Sequence, residues 1–389
     1  METRPVLVVY VVWHPGCQQA RGYARTIFKT LYANPAVPAS RGLGVPVKFR
    51  TATSGAEAPA RIPFGEAQHT AVFVFADDEL AADPLWRSYA DGLVDAAGAT
   101  DLVVPIAITA TRNLPPKLAA LQAIRLNSAS GTEDDPGAQA DPAAPGDPGA
   151  HRETLLLNDV MHDLCRLLDP RDARVKVKVF LSHAKADGLG IANPISDYLR
   201  NVARLEEFFD ATDIPNGTRF AELLKEQAGS LSALLAIQTD SYASREWCRL
   251  ELLEAKRRRV PIVVLSALQN KESRSFPYIG NVPVVRWRGD ESLPVVVGAL
   301  LGEVLRDRYF PRRAEGICKY HGLAPERQVF SCPPELMTLL AVRESIRTAG
   351  KTPPRYLYPD PPLGTEELQL LQQLEPGIEL VTPTDLGAG

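Results

Sequence analysis

The sequence predicts an α/β protein: two doubly wound parallel-sheet domains followed by a small α/β extension. Three observations predict it. Strand-like apolar runs alternate with helix-like runs in both halves of the chain, the rhythm of parallel sheets covered by helices. The segment Ser128 to Ala150 between the halves holds four Pro, four Gly and four Asp, and no aliphatic side chain larger than Ala. After residue 306 the runs become shorter and more mixed.

Taken in order, Val6–Trp13 reads as a buried strand, Gln18–Tyr32 as a helix and Val45–Phe49 as a strand. Thr70–Ala76 is a strand, Leu85–Ala96 a helix and Leu102–Ile108 a strand. The Pro/Gly/Asp segment cannot bury enough surface to offset its ordering entropy, so residues 128–150 are expected to be a flexible linker or loop. Glu153–Leu168 then reads as an amphipathic helix, and residues 151–174 are expected to close the first domain, 1–127.

The second domain, 175–306, repeats the rhythm. Its strands are expected at Val175–Ser182, Leu205–Asp210, Leu231–Thr239, Val260–Leu265 and Val282–Trp287. Helices are expected at Asn193–Ala203, Phe220–Ala228, Ser244–Arg258 and Leu293–Arg306, with Ser244 as an N-cap. Five parallel strands with flanking helices make a flavodoxin-like fold, which takes ligands beyond the carboxyl ends of its strands. The extension, 307–389, offers strand-like Val329–Ser331, Tyr356–Tyr358 and Ile378–Thr382, with helices at Glu335–Arg347 and Glu366–Leu374. Its Pro359–Gly364 loop leads to a helix that Thr365 is expected to cap. Such a loop either binds an anion at the helix N-terminus or is a stiff connection, the second being favoured.

Composition bounds the function. At 389 residues the chain suits two or three domains. A net charge of −4 gives no basic excess to attract nucleic acid, and no apolar run reaches the ~20 residues of a membrane span. The apolar N-terminus lacks a small-residue cleavage site and reads as a strand rather than a signal peptide, which implies a cytoplasmic protein. Five scattered cysteines (Cys17, Cys165, Cys248, Cys318 and Cys332) do not form a disulfide framework. Cys318, His321 and Cys332 fall one ligand short of a closed structural zinc site, so no metal is expected.

Three blocks of the second domain carry chemistry: FLSHAKADG (Phe180–Gly188), FFDATDIPNGTRFAELL (Phe208–Leu224) and YASREWCRLELLEAKRRR (Tyr242–Arg259). The first resembles the opening strand of bacterial TIR (Toll/interleukin-1 receptor) domains. In the second, Asp210 is followed seven positions later by Gly217, which resembles the TIR second strand and BB loop. The third contains Trp247-Cys248-x-x-Glu251-Leu252, which is similar to the WCxxEL signature of plant and bacterial TIR helices. The resemblance spans about 115 residues, Val175–Arg288. It implies a protein of the NAD-cleaving type.

In that reaction nicotinamide departs as a neutral molecule and needs no general acid. Positive charge builds on the ribose, and one preorganised carboxylate can stabilise it. The resemblance gives that role to Glu251. Trp247, one helical turn earlier, would pack against the nicotinamide-bearing part. Phe180, Ser182, His183 and Lys185, with the loop from Asp210 to Gly217, would hold the rest of NAD, a substrate and not a cofactor. Without the motif, Glu251 would read as a solvated surface residue and Trp247 as core packing. Asp187 and Asp213 read as exposed loop carboxylates. Ala184-Lys185 departs from the arginine pair of some animal homologues, which weakens the phosphate contacts.

The first half follows the same element order and places Trp86 where the second places Trp247, but Ala90 stands where Glu251 would be. It reads as a degenerate, catalytically empty TIR-like copy from an internal duplication, the alternative being that any two flavodoxin-like domains share this element order. The resemblance further implies self-association into an oligomer or filament, antiphage defence and a linear or cyclic ADP-ribose product; a further reading has the first domain or the extension sense a small nucleotide signal or other upstream activator, with the TIR domain as effector. A non-enzymatic TIR scaffold is the alternative.

Overall fold

A computed structural model describes residues 4–32, 42–54, 56–109, 114–126, 148–169, 176–203, 205–209, 232–270, 278–322, 329–349 and 356–387. The chain divides into two compact units, Met1–Leu167 and Leu168–Gly389.

In the first unit the strands are β1 (Leu7–Val12), β2 (Val47–Arg50), β3 (His69–Ala76), β4 (Leu102–Ala107) and β5 (Ile124–Arg125), all parallel, in the order β2-β1-β3-β4-β5. β1 is buried along its whole length and β3 nearly so. That is why both read as continuous apolar runs: helices cover both faces of such a sheet. Helix α1 (Gln18–Leu31) buries Ala20, Tyr23, Ala24, Ile27 and Leu31, the stripe of an amphipathic helix. Two short helices, α2 (Asp78–Ala82) and α4 (Pro116–Ala119), join the expected helix α3 (Pro84–Ala96). Neither they nor β5 are long enough to show a period. Asp83 caps α3 by accepting from the backbone of Leu85 and Trp86. Helix α5 (Pro148–Leu167) starts five residues before the expected Glu153, so 148–150 belong to it and not to a linker. The expected linker otherwise lies outside the described residues. Thr26 of α1 donates to Glu153 of α5 at 3.1 Å.

The second unit repeats the order: β6 (Lys178–His183), β7 (Glu206–Phe209), β8 (Ala233–Gln238), β9 (Ile262–Ser266) and β10 (Val284–Arg286) form a parallel sheet ordered β10-β9-β8-β6-β7. Counted within each unit, both sheets run 2-1-3-4-5, the flavodoxin-like order. Helix α6 (Leu189–Asn201) begins four residues before the expected Asn193 and carries Pro194 inside it. The helix expected at Phe220–Ala228 lies outside the described residues. Helix α7 (Glu246–Arg257) is preceded by a 3-10 turn over Tyr242–Ser244. Ser244 is therefore not its cap: Arg245 holds that place without a side-chain bond, and Ser244 donates to Ser241 O at 2.7 Å.

Helix α8 (Leu293–Tyr320) does not stop at Arg306 but runs on through Pro311, so the boundary expected at 306/307 falls inside a helix. Asp169, expected near the end of the first domain's closing helix, forms an ion pair with Arg308 of α8 at 2.7 Å within the second unit. The rest of the extension holds α9 (Leu336–Ala349), β11 (Tyr356–Leu357), α10 (Thr365–Leu374) and β12 (Leu380–Val381). β11 and β12 pair in parallel, and Val329 forms only an isolated bridge to Leu357 where a strand was expected. Thr365 does not cap α10. Gly364 is the cap, and its N–H donates to Glu367 at 3.1 Å. With Glu366 and Glu367 in its first turn, that helix end is already supplied with negative charge. Among the described residues no helix is long and apolar enough to cross a membrane.

Candidate functional site

The candidate site lies at the carboxyl end of β6 under the N-terminal half of α7. Side chains alternate along a strand, so Phe180, Ser182 and Ala184 share one face. Phe180 and Ala184 belong to the apolar cluster that also contains Tyr242, Cys248 and Leu252. Ser182 interrupts that face with a hydroxyl.

Helix α7 buries Cys248, Glu251, Leu252 and Ala255. The spacing is that of an apolar stripe, with a carboxylate at one of its positions. Glu251 is 2% exposed, the reverse of the solvated residue a helical Glu ordinarily is. A carboxylate buried there is tolerable only with hydrogen bonds. Ser182 Oγ donates to Glu251 Oε2 at 2.5 Å. The Tyr242 hydroxyl lies 2.8 Å from Ser182 Oγ and 3.4 Å from the Cys248 carbonyl, with one proton to share between them. The result is a buried polar chain that ties β6, the 3-10 turn and α7 together.

Trp247 is 58% exposed and lies one turn before Glu251. It is therefore not core packing. His183, the last residue of β6, is buried at 2%, and Lys185 is exposed. Phe180 is 1% exposed within the core cluster, as buried as Ser182 and Glu251. Asp210, Asp213 and Gly217 lie outside the described residues.

Two residues gain roles that sequence reasoning did not assign. Tyr242 opens the third block but was given no function there; its place beside the tryptophan-bearing helix was the available signal. Asp187 is an exposed loop carboxylate as expected, and it has partners as well. It accepts from Thr239 Oγ1 at 2.7 Å and from Ser241 N–H at 2.9 Å, bridging the loop after β6 to the end of β8. Gly188 closes that loop: a Cβ there would stand 2.7 Å from the Ala184 carbonyl oxygen. Asp240 similarly accepts from the backbone of Gln269 and Asn270. These bonds to its charged form, from Asn270 first, hold its carboxyl below the ordinary aspartate value.

All five cysteines are free, and Cys332 alone among them is exposed. Among the described residues no group of three His, Cys, Asp or Glu side chains stands close enough to hold a metal.

Comparison with known proteins bears on the domain that holds these residues. No curated protein matches the chain. Among solved structures, the TIR domains of the activated Roq1 resistosome directly recognizing the pathogen effector XopQ match at 18% identity. That match covers 38% of this chain and 98% of that one, with a TM-score of 0.21, too slight a superposition to bear on the fold. The family model described as TIR domain matches residues 179–292. This stretch begins in β6, contains Ser182, Tyr242, Trp247 and Glu251, and ends just before α8. The chain thus carries a TIR domain across the second parallel sheet.

Proposed function

We propose that the second unit cleaves the nicotinamide–ribose bond of NAD, releasing nicotinamide and linear or cyclic ADP-ribose. The observation that carries this reading is Glu251, a carboxylate on the buried face of α7 hydrogen-bonded to the end of the first strand. As the glycosidic bond breaks, its electron pair leaves with nicotinamide, which departs neutral. The ribose carries the resulting positive charge until water attacks and loses a proton, or until an adenine nitrogen closes the ring. A carboxylate fixed in a water-poor site stabilises that charge without reorganising. Ser182 and Tyr242 hold it in place, and the exposed Trp247 offers a flat apolar surface. His183, Lys185 and the segment from Asp210 to Gly217 are assigned to the remainder of the nucleotide.

At 2% exposure Glu251 does not meet a substrate without movement. This supports a gated enzyme, resting when isolated and opened by TIR–TIR self-association into an oligomer or filament in the cytoplasm. The first unit is read as a degenerate copy that restrains or assembles the second, with a small nucleotide signal or an upstream activator as trigger. Antiphage defence is the setting proposed for it.

The exposed apolar pair Trp247 and Leu250, 58% and 44% accessible on α7, favours a second reading. In it the TIR domain is a non-enzymatic scaffold that binds through this face. Nicotinamide release, followed as protein concentration rises, separates the two. The enzyme reading requires release that depends on concentration and is absent in Glu251→Ala. Assembly with no release from either protein rejects it.

A further inference from the structure

The C-terminal segment meets α7 at the end of the helix opposite Trp247. Lys256, in the last turn of α7, is an ion-pair partner of Glu335, which directly precedes α9, and its side chain is only 4% exposed. The second carboxylate oxygen of Glu335 accepts from Asn281 N–H at 3.4 Å. Gly280 makes this approach feasible. It has φ +62°, and a Cβ built on it would lie 1.8 Å from Glu335 Oε2 and 2.6 Å from Lys256 Nζ. Only glycine leaves the pair its space.

A further contact joins the same surfaces. Just beyond α7, Arg259 adopts a left-handed backbone (φ 58°) and sets its guanidinium 5.0 Å over the Phe330 ring. Phe330 in turn stacks on Tyr356 in the apolar core of the C-terminal segment. The cleft between the surfaces is lined by Lys256, Arg259, Asp307 of α8, Phe330, Ser331 and Glu335.

We infer that Glu335 is a positioning residue, which fastens the C-terminal segment to the end of α7 and so fixes the placement of the helix bearing Trp247 and Glu251. Apolar contacts below α7, from Leu252 and Ala255, are non-directional and permit small slides. The Lys256–Glu335 pair is directional, and removing one partner leaves a buried charge that must find water. The far end of α7 then shifts, carrying Trp247 with it. The link between Glu335 and catalysis rests on the proposed role of Glu251; the mechanical link does not.

Amide hydrogen exchange on the full chain tests the mechanical link. In Glu335→Ala and in Gly280→Ala, exchange in residues 246–257 should accelerate about ten-fold while β8 and β9 keep their protection. The double variant Lys256→Glu with Glu335→Lys should recover most of that protection. Nicotinamide release should fall several-fold in kcat in the single variants and recover with the swap. Unchanged exchange in α7, equal loosening of β8 and β9, or no recovery by the swap would overturn the inference. If wild type releases no nicotinamide, the proposed cleavage fails, and the exchange data alone still decide whether Glu335 positions α7.

Discussion

Two sheets of one strand order carry different material between their first strand and the helix that follows their third. In the first unit, Val8, Tyr10 and Val12 of β1 join Trp86, Ala90 and Leu93 of α3 in one apolar cluster. Trp86 is fully buried there, its ring edge-on to His14 with centroids 5.1 Å apart. In the second unit, Ser182 stands between Phe180 and Ala184, and Glu251 occupies the place in α7 that Ala90 has in α3. Trp247, four residues earlier, is at the surface. The first unit buries an indole on this helix; the second buries a hydrogen-bonded carboxylate. Function is therefore to be argued from the few side chains placed there and not from the shared architecture.

The largest effect should come from the packed tryptophan. Trp86→Ala removes a fully buried indole and should cost about 3–5 kcal/mol in denaturant unfolding of the first unit. A loss below about 1 kcal/mol would break the comparison. Ser182→Ala comes next. It withdraws a donor from a buried carboxylate, so the second unit should lose about 1.5–3 kcal/mol, and kcat for nicotinamide release should fall with KM little changed. An unchanged kcat would show that Ser182 does not orient Glu251.

Asp307 gives a pH-dependent effect. Burial raises its carboxyl above the ordinary 3.8, against the opposing pull of Ser331 and Arg308. The folded state then holds the proton more tightly than the unfolded chain. The favourable contribution is present below 3.8 and is lost as pH rises through the higher folded value. Asp307→Asn should match wild type in thermal stability near that lower limit and exceed it at neutral pH. A gap that shrinks with rising pH would contradict this. The smallest effect on stability belongs to Trp247→Ala. An exposed side chain should cost no more than about 0.5 kcal/mol, while KM for NAD rises. A loss comparable to that of Trp86→Ala would mean that the two tryptophans are not the contrasting pair described.

What the sequence made legible follows from the same physics. β1, β3, β8 and β9 announced themselves because strands covered on both faces are uninterrupted apolar runs. Trp247 and Glu251 were legible as a motif, but the burial of one and the exposure of the other were not. Helical spacing places them near each other without saying which faces the sheet. Asp187 is the exposed loop carboxylate expected, but its bonds were not legible because its partners, Thr239 and Ser241, are more than fifty residues away. Ser244 was misjudged as a cap because a 3-10 turn and a true cap use the same small polar residues. The continuation of α8 past Arg306 was missed because its later stretch gives no clean apolar period, and Pro311 suggests a stop that packing overrides. The Lys256–Glu335 pair, made by residues 79 positions apart, had no sequence signal.

The central claim is that Glu251 serves chemistry. Glu251→Gln keeps the size of the side chain and an acceptor for Ser182 while removing the charge. Measured at a concentration where wild type assembles, nicotinamide release should fall about 10²–10³-fold, with unfolding of the second unit little altered. Release from Glu251→Gln at the wild-type rate would contradict the assignment.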